Sequence, residues 1–505
     1  MKNLKIYFTS DIHGYIFPTD YRDFDEKNLG LLNIISNFKK DGNTLIIDGG
    51  DTIQGSPFTT YLSKNQFSFN PLSEILNIGK YDFITLGNHD FNYGYDYLKN
   101  YLENLDATCI CANIKDKTNK LPILPSSIKV LENGLKIGLI GITTDFIPLW
   151  EQPKNLVNIQ VMDTYSSIKQ EISSLKDKVD ILIGVYHGGF ENNLETGDVL
   201  STTSENIAYK ICSTLSLDLL LTGHQHMEIY NKNLFGTHIV QTPNNGTKFA
   251  TINITIDDDN NKNIISSLEV PTINPNKEGL NLLQSIEDKV QEWLDTPVGF
   301  LDTSLLPTTH LDMAINGSTL ANFINSVQLH FSDAQIACTS FANSIKGFNK
   351  EVTIRDIVST YIYPNTLVVL EITGTILKKA LYRCSEYFHL NENGSLEISK
   401  TFLEPKIEHY NYDYFYNISY TFDLTKTDSS RISSVKYNGV EIEDTDKFSI
   451  VMNNYRTSGS GGFEFFKDAP IIKEIQIEMP ELLIEYFIKY KNISTNNKKS
   501  LKLIY

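Results

Sequence analysis

Leu4-Lys5-Ile6-Tyr7-Phe8-Thr9-Ser10-Asp11-Ile12-His13-Gly14 is a short apolar run that stops in a polar turn. Its first six residues are of strand length and rich in β-favouring types, and the Asp, His and Gly that follow mark the turn. The pattern repeats along the first half, in Thr44–Gly50, Tyr81–Gly87, Lys136–Thr144, Ile181–His187 and Asp218–His224, and several of these runs also end in Gly, Asp, His or Thr. Between some of them lie Leu29–Lys40 and Tyr165–Lys178, whose apolar residues recur at helical i, i+3 and i+4 spacing. Alternating strands and helices predict an α/β layered domain. In such sheets ligands gather beyond the carboxyl ends of the strands, which is where these polar residues fall.

At 505 residues the chain is too long for one ordinary core, and two to three domains are expected. Hydrophobic residues at 41% and charged residues at 21% supply enough apolar surface for packed, globular domains. The net charge of −17 repels polyanions, so polymeric nucleic acid and anionic membranes are not expected partners. Small anions remain possible substrates where metal ions supply positive charge. The N-terminus lacks the apolar core of a secretory signal, and no window approaches the ~20 apolar residues of a membrane-spanning helix. A cytoplasmic location is therefore expected. Five scattered cysteines fit reduced thiols, with Cys109 and Cys111 as buried fillers on one strand face.

Charged and turn-rich text at Asp257–Asn263 and Pro271–Lys277 closes the first domain, expected at 1–275. Glu278–Thr296 reads as an amphipathic helix within a linker at 276–300. The second half is richer in Tyr and Phe. It shows a helix pattern in Ser318–Gln328 and strand patterns in Thr366–Gly374, Asn417–Leu424 and Lys447–Tyr455, which predicts an α+β domain over 301–490. Residues 491–505 read as a polar, mobile tail.

Five motifs end strand-like runs: Asp11-Ile12-His13-Gly14, Gly50-Asp51, Gly87-Asn88-His89-Asp90, Tyr186-His187-Gly188-Gly189 and Gly223-His224-Gln225-His226. Asp, Asn and His offer ligands for Zn, Mn or Fe, and seven such groups suffice for two ions that share one carboxylate. Two ions roughly 3.5–4 Å apart can clamp a phosphate and acidify a water between them. Each motif alone has an ordinary explanation, such as capping, an Asx turn or a packed histidine. All five in this order, each after a strand, make coincidence improbable.

This ordered set resembles the calcineurin-like metallophosphoesterases. With the second half included, nearly the whole chain resembles the two-domain family of 5′-nucleotidases and 2′,3′-cyclic-nucleotide 2′-phosphodiesterase/3′-nucleotidases. The resemblance implies a four-layer α/β/β/α sandwich followed by an α+β substrate-binding domain. It implies that Asp11, His13 and His226 bind one divalent metal, that Asn88, His187 and His224 bind the other, and that Asp51 bridges them. His89 and Asp90 match the family's catalytic pair, in which the imidazole stabilises charge on the phosphoryl group or leaving oxygen and the carboxylate orients it.

The substrate implied is a small nucleotide. In the 5′-nucleotidase branch the second domain resembles a lid with phosphate-gripping arginines, usually within Asn-Gly-Gly-x-Arg. This chain has five arginines, and it reads Ser340-Phe341-Ala342-Asn343-Ser344 at that place. Tyr361-Ile362-Tyr363-Pro364-Asn365-Thr366-Leu367 and Asn453-Asn454-Tyr455-Arg456 are similar to the cyclic-phosphodiesterase branch, which implies Tyr363, Asn365, Tyr455 and Arg456 as substrate contacts. The glycine-rich Ser458–Gly462 reads as a flexible loop. A 5′-nucleotidase or a phosphatase of another small ester, and a catalytically silent binding protein of the same fold, are the alternatives; the silent protein requires a lost ligand, and the sequence has lost none.

Overall fold

The structure is a computed structural model that describes the whole chain except Met1, Thr202, Pro364, Pro405, Lys406 and Gln476. It divides into two units, 1–291 and 292–505, and the amphipathic helix Lys277–Leu294 ends just past that division.

The first unit holds two large sheets. One runs Lys262–Glu269, Phe249–Ile256, Lys2–Thr9, Thr44–Asp48, Phe83–Ile84, Thr108–Ile110 and Ile123–Leu124 in spatial order. The other runs Ile229–Leu234, Thr237–Gln241, Leu219–Thr222, Ile181–His187, Lys136–Thr143 and Ser126–Val130. The central strands are parallel, with Lys5 to Thr9 in register with Thr44 to Asp48 and Ile181 to His187 in register with Ile137 to Thr143. Their ligand-bearing ends therefore all point the same way within each sheet.

Alternation along a strand decides which layer each side chain enters. Ile181, Ile183 and Val185 join Ile6, Phe8, Leu45 and Ile47 in a core between the sheets, whereas Leu182 and Tyr186 join Ile168, Ile172 and Ile211 under the outer helices. Each fully buried aliphatic contributes about 1.5–3 kcal/mol. On the far side of the first sheet Tyr7 stacks on Phe38, with ring centroids 4.7 Å apart. The layers are helix, sheet, sheet, helix, as expected. Helix starts follow their caps: Asp163 accepts from the Ser166 N–H at the head of Thr164–Leu175, and Ser56 accepts from the Thr59 N–H before Pro57–Lys64.

The second unit is built on a five-stranded sheet in the order Tyr414–Tyr416, Ile336–Thr339, Lys447–Asn453, Leu367–Thr373 and Ile471–Ile475, with helix Thr319–Ser332 packed on it. A four-stranded sheet contains Ile418–Asp423 and, beside it, Leu501–Ile504. The chain end is thus ordered where a mobile polar tail is expected. Leu501 is buried, Asn322 Nδ2 donates to the carbonyls of Asn496 and Lys498, and Thr495 donates to Asp302, so the polar backbone has partners.

The five cysteines are free and buried, as expected of reduced thiols, and Cys109 and Cys111 among them are buried fillers as expected. Among the described residues no helix is long and apolar enough to cross a membrane.

Candidate metal centre

The strand ends bring six of the seven expected ligands into two groups. Asp11, His13 and His226 form one, and Asp51, His187 and His224 form the other, each with its ligand atoms within 4.8 Å of one another. The groups adjoin. Asp51 Oδ2 lies 3.1 Å from His187 Nε2 and 4.0 Å from His13 Nε2, and Asp11 Oδ1 lies 3.3 Å from His226 Nε2 and 3.9 Å from His187 Nε2. Asp51 is thus within reach of both groups.

The backbone is strained to achieve this. Asp11, His13, Asp51, His224 and His226 all have φ between 50° and 69°, a left-handed conformation that costs non-glycine residues energy and clusters at functional sites. Close approach also dictates Gly87, where a Cβ would come within 2.1 Å of Asp51 Oδ1.

The donor set fits divalent cations. Asn88 Oδ1, the seventh expected ligand, is buried without a hydrogen-bond partner, and His187 Nε2 is buried and faces Asp51 without hydrogen-bonding alignment. Buried polar atoms left unsatisfied in this way are costly unless something else binds them. Burial alone raises Asp11 and Asp51, but the facing histidines, His187 foremost, hold both carboxyls below their usual range. Burial likewise works against protonated His187, yet Asp51 and Asp11 push it up to about 10. His13 is pulled down by burial to about 4 despite Asp51. Two buried acids surrounded by histidines, with no Lys or Arg ion pair to either acid among the described residues, suit exogenous positive charge.

Supporting bonds fix the rings. His187 Nδ1 pairs with the Gly49 carbonyl at 2.7 Å and His13 Nδ1 with the Gln54 carbonyl at 3.1 Å, so each turns Nε2 inward. His224 is held at Nε2 by Glu205 Oε1, 3.0 Å away. Sequence reasoning missed Glu205. It sits 19 residues before His224 in a loop, with no motif to mark it.

The expected pairing of Asp90 with His89 is corrected by the structure. All of the Asp90 acceptor capacity goes to backbone N–H groups: Oδ1 accepts from Thr52 and Ile53, Oδ2 from Asp51 and Gly87. Burial and the Asp51 charge push Asp90 up to about 6. It therefore ties the two ligand-bearing turns together. The His89 ring instead meets Asn92, Nδ1 to Oδ1 at 2.8 Å, three residues on in a 3-10 turn, a spacing that was legible in the sequence. His89 stands beside the centre, its ring centroid 5.3 Å from that of His13, and its N–H donates to Asp51 Oδ1.

In the second unit Tyr363 and Tyr455 are 39% and 41% exposed. Pro364, between Tyr363 and Asn365 in the stretch that carries the resemblance, lies outside the described residues. Asn365 is half-buried, beside the buried Tyr361. Arg456 departs from expectation: it is 1% exposed, with Asp413 at 2.8 Å, the Ser460 and Tyr410 carbonyls as acceptors, and Phe463 under its guanidinium. Its polar groups are bonded within the second unit. The glycine loop expected to be flexible is packed around it, and a Cβ at Gly461, where φ is +76°, would fall 2.6 Å from Arg456 Nη1.

Comparison with known proteins agrees with this geometry. Residues 4–228 match the calcineurin-like phosphoesterase family and residues 297–468 the 5′-nucleotidase C-terminal domain. A Staphylococcus aureus structure assigned as a 5′-nucleotidase superposes over 100% of both chains with 32% identity and a TM-score of 0.79. The 2′,3′-cyclic-nucleotide 2′-phosphodiesterase/3′-nucleotidase of Salmonella typhimurium is 23% identical over 90% of this chain and 81% of its own length. The trifunctional nucleotide phosphoesterase protein YfkN of Bacillus subtilis is 24% identical over 97% of this chain, which spans 38% of that longer protein. The chain belongs to the 5′-nucleotidase family, with an N-terminal calcineurin-like phosphoesterase domain, and is a phosphate ester hydrolase.

Proposed function

We propose that the chain is a metal-dependent nucleotide phosphoesterase of the 2′,3′-cyclic-nucleotide 2′-phosphodiesterase/3′-nucleotidase type. What carries this reading is the pair of adjoining ligand groups at the strand ends, with His89 beside them. Asp11, His13 and His226 would hold one divalent ion, Asn88, His187 and His224 the other, and Asp51 would serve both; Mn, Zn and Fe all suit these donors. Such ions, when bound, neutralise phosphate charge and acidify a water for attack on phosphorus. His89 directs a ring N–H at a phosphoryl or leaving oxygen, its Nδ1 side being taken by Asn92. Asp90 keeps the Asp51 and Gly87 turns in register. Tyr363 and Tyr455 offer faces for a nucleobase.

Support for the substrate comes from the Salmonella relative and from the arginines. All four arginines of the second unit have partners inside it: Arg355 with Asp295, Arg383 with Glu386, Arg431 with the Phe388 carbonyl, and Arg456 with Asp413. A second reading, 5′-nucleotidase, is favoured by the Staphylococcus structure. Hydrolysis of 2′,3′-cyclic AMP, 3′-AMP and 5′-AMP with added Mn²⁺ separates them. Preference for the first two is expected, and preference for 5′-AMP selects the second reading. Turnover unaffected by chelation overturns both.

A further inference from the structure

We propose that Glu151 is a positioning residue that acts through Asn92 to fix the tautomer and orientation of His89. The proposal rests on the phosphoesterase reading and adds two residues to its machinery. Three side chains form a line: His89 Nδ1 lies 2.8 Å from Asn92 Oδ1, and Asn92 Nδ2 donates to Glu151 Oε2 at 2.5 Å. The other Glu151 oxygen accepts from the Gln152 N–H at 2.6 Å and from Asn155 Nδ2 at 2.8 Å, and Asn155 Nδ2 also reaches the Asn92 carbonyl at 3.0 Å. Glu151 and Asn155 are 7% and 9% exposed, so water competes little for these bonds.

Chemistry orders the line from its far end. A carboxylate accepts and has no N–H to give, so the Asn92 amide must turn its NH₂ towards Glu151. Its oxygen then faces the imidazole. An amide oxygen only accepts, so Nδ1 of His89 must carry the hydrogen. The ring is thereby held at Nδ1, and in the protonated imidazole Nε2–H is the donor that it would present to a substrate oxygen. Asp90, whose four acceptor positions are filled by backbone N–H groups, cannot supply this function.

Exchange of acid and amide tests the assignment. In Glu151→Gln the new amide must present its NH₂ to Asn92 or to Asn155, and a flip of Asn92 would set its NH₂ against His89 Nδ1. In Asn92→Asp two carboxylates face each other across the bond now made by Nδ2. The double variant Asn92→Asp/Glu151→Gln restores a matched donor and acceptor at every position, with the carboxylate now against the imidazole. Each single variant is expected to lower kcat by about 10–100-fold, the usual cost of losing such a supporting partner, with KM and bound metal unchanged. The double variant is expected to recover most of that loss. Nitrogen-15 NMR of histidine-labelled protein, with His89→Gln assigning the signal, is expected to show a protonated Nδ1 in the wild type and an altered tautomer in Glu151→Gln. Single variants with wild-type kcat, or a double variant no better than its parents, overturn the proposal. So does an unprotonated Nδ1 in the wild type, a result that needs neither a folded variant nor activity. If the wild-type chain hydrolyses no nucleotide, the functional reading fails while the NMR result still decides the tautomer.

Discussion

Asp48 and Asp413 are both 2% exposed, yet they are satisfied in opposite ways. Asp48, beneath the turn that carries Asp51, takes hydroxyls from Thr9 and Thr52 and the N–H of Gly50. Asp413, in the second unit, faces the guanidinium of Arg456. The contrast extends to each region. The first unit leaves Asp11 and Asp51 without lysine or arginine ion pairs among the described residues, so their charge is available to exogenous cations. The second unit ties its arginines to its own acids and carbonyls and leaves aromatic faces exposed. One region leaves buried negative charge without lysine or arginine ion pairs, and the other pairs its cations internally and exposes tyrosines.

The strongest way to break the comparison is Asp51→Asn. One carboxylate reaches both ligand groups, so metal content measured by mass spectrometry is expected to fall at both sites. Metal-derived stabilisation of several kcal/mol corresponds to a loss of about 10³-fold or more in kcat. Unchanged metal stoichiometry would show that Asp51 is not shared.

Arg456→Met comes next. It strands Asp413 in the interior, and breaking a buried pair costs about 3–5 kcal/mol, so the unfolding midpoint should drop while bound metal is unchanged. A raised KM with an unchanged midpoint would favour the substrate-contacting role over the internal ion pair with Asp413.

The two regions also differ in how much of them the sequence reveals. Motifs such as Asp11-Ile12-His13 are legible because strand ends are local: an apolar run stops, and the next polar residues are placed by the turn itself. Asn88 joins them for the same reason. Partnerships made through the fold are not legible. Nothing near Arg456 marks Asp413, nothing near His224 marks Glu205, and the polar 491–505 segment hides the fact that Leu501 finds a strand at Tyr420. Asp90 misled by adjacency. It stands next to His89, yet a side chain one residue on points elsewhere, and Asn92 at i+3 shares the face.

Asp48 offers a pH test of the first unit. Burial without a counter-ion pushes its carboxyl up to about 7, from an ordinary value of 3.8. The folded chain therefore binds this proton more tightly than the unfolded chain. Its stabilising contribution is present below about pH 4 and declines as pH rises to about 7. Asp48→Asn is expected to abolish that decline, seen as a stability difference from wild type that shifts in favour of the variant between pH 4 and 7. A difference that is flat with pH means that Asp48 is ionised in the folded chain.

The smallest expected effect tests the second unit's exposed face. A nucleobase stacked on an aromatic ring is worth about 1–3 kcal/mol by alanine replacement. Tyr455 is 41% exposed, and the Arg456 guanidinium lies 5.7 Å from its ring centroid, so its removal leaves no buried cavity and should scarcely alter stability. Tyr455→Ala is therefore expected to raise KM for nucleotides within that energy range while kcat and the unfolding midpoint hold. Hydrolysis of p-nitrophenyl phosphate, which has no nucleobase, should be unchanged. Because every base has a π-face, the KM penalty should be similar for purine and pyrimidine substrates. A penalty on p-nitrophenyl phosphate as large as that on nucleotides would mean that Tyr455 supports the fold rather than the base, and the stacking surface assigned to this unit would then rest on Tyr363 alone.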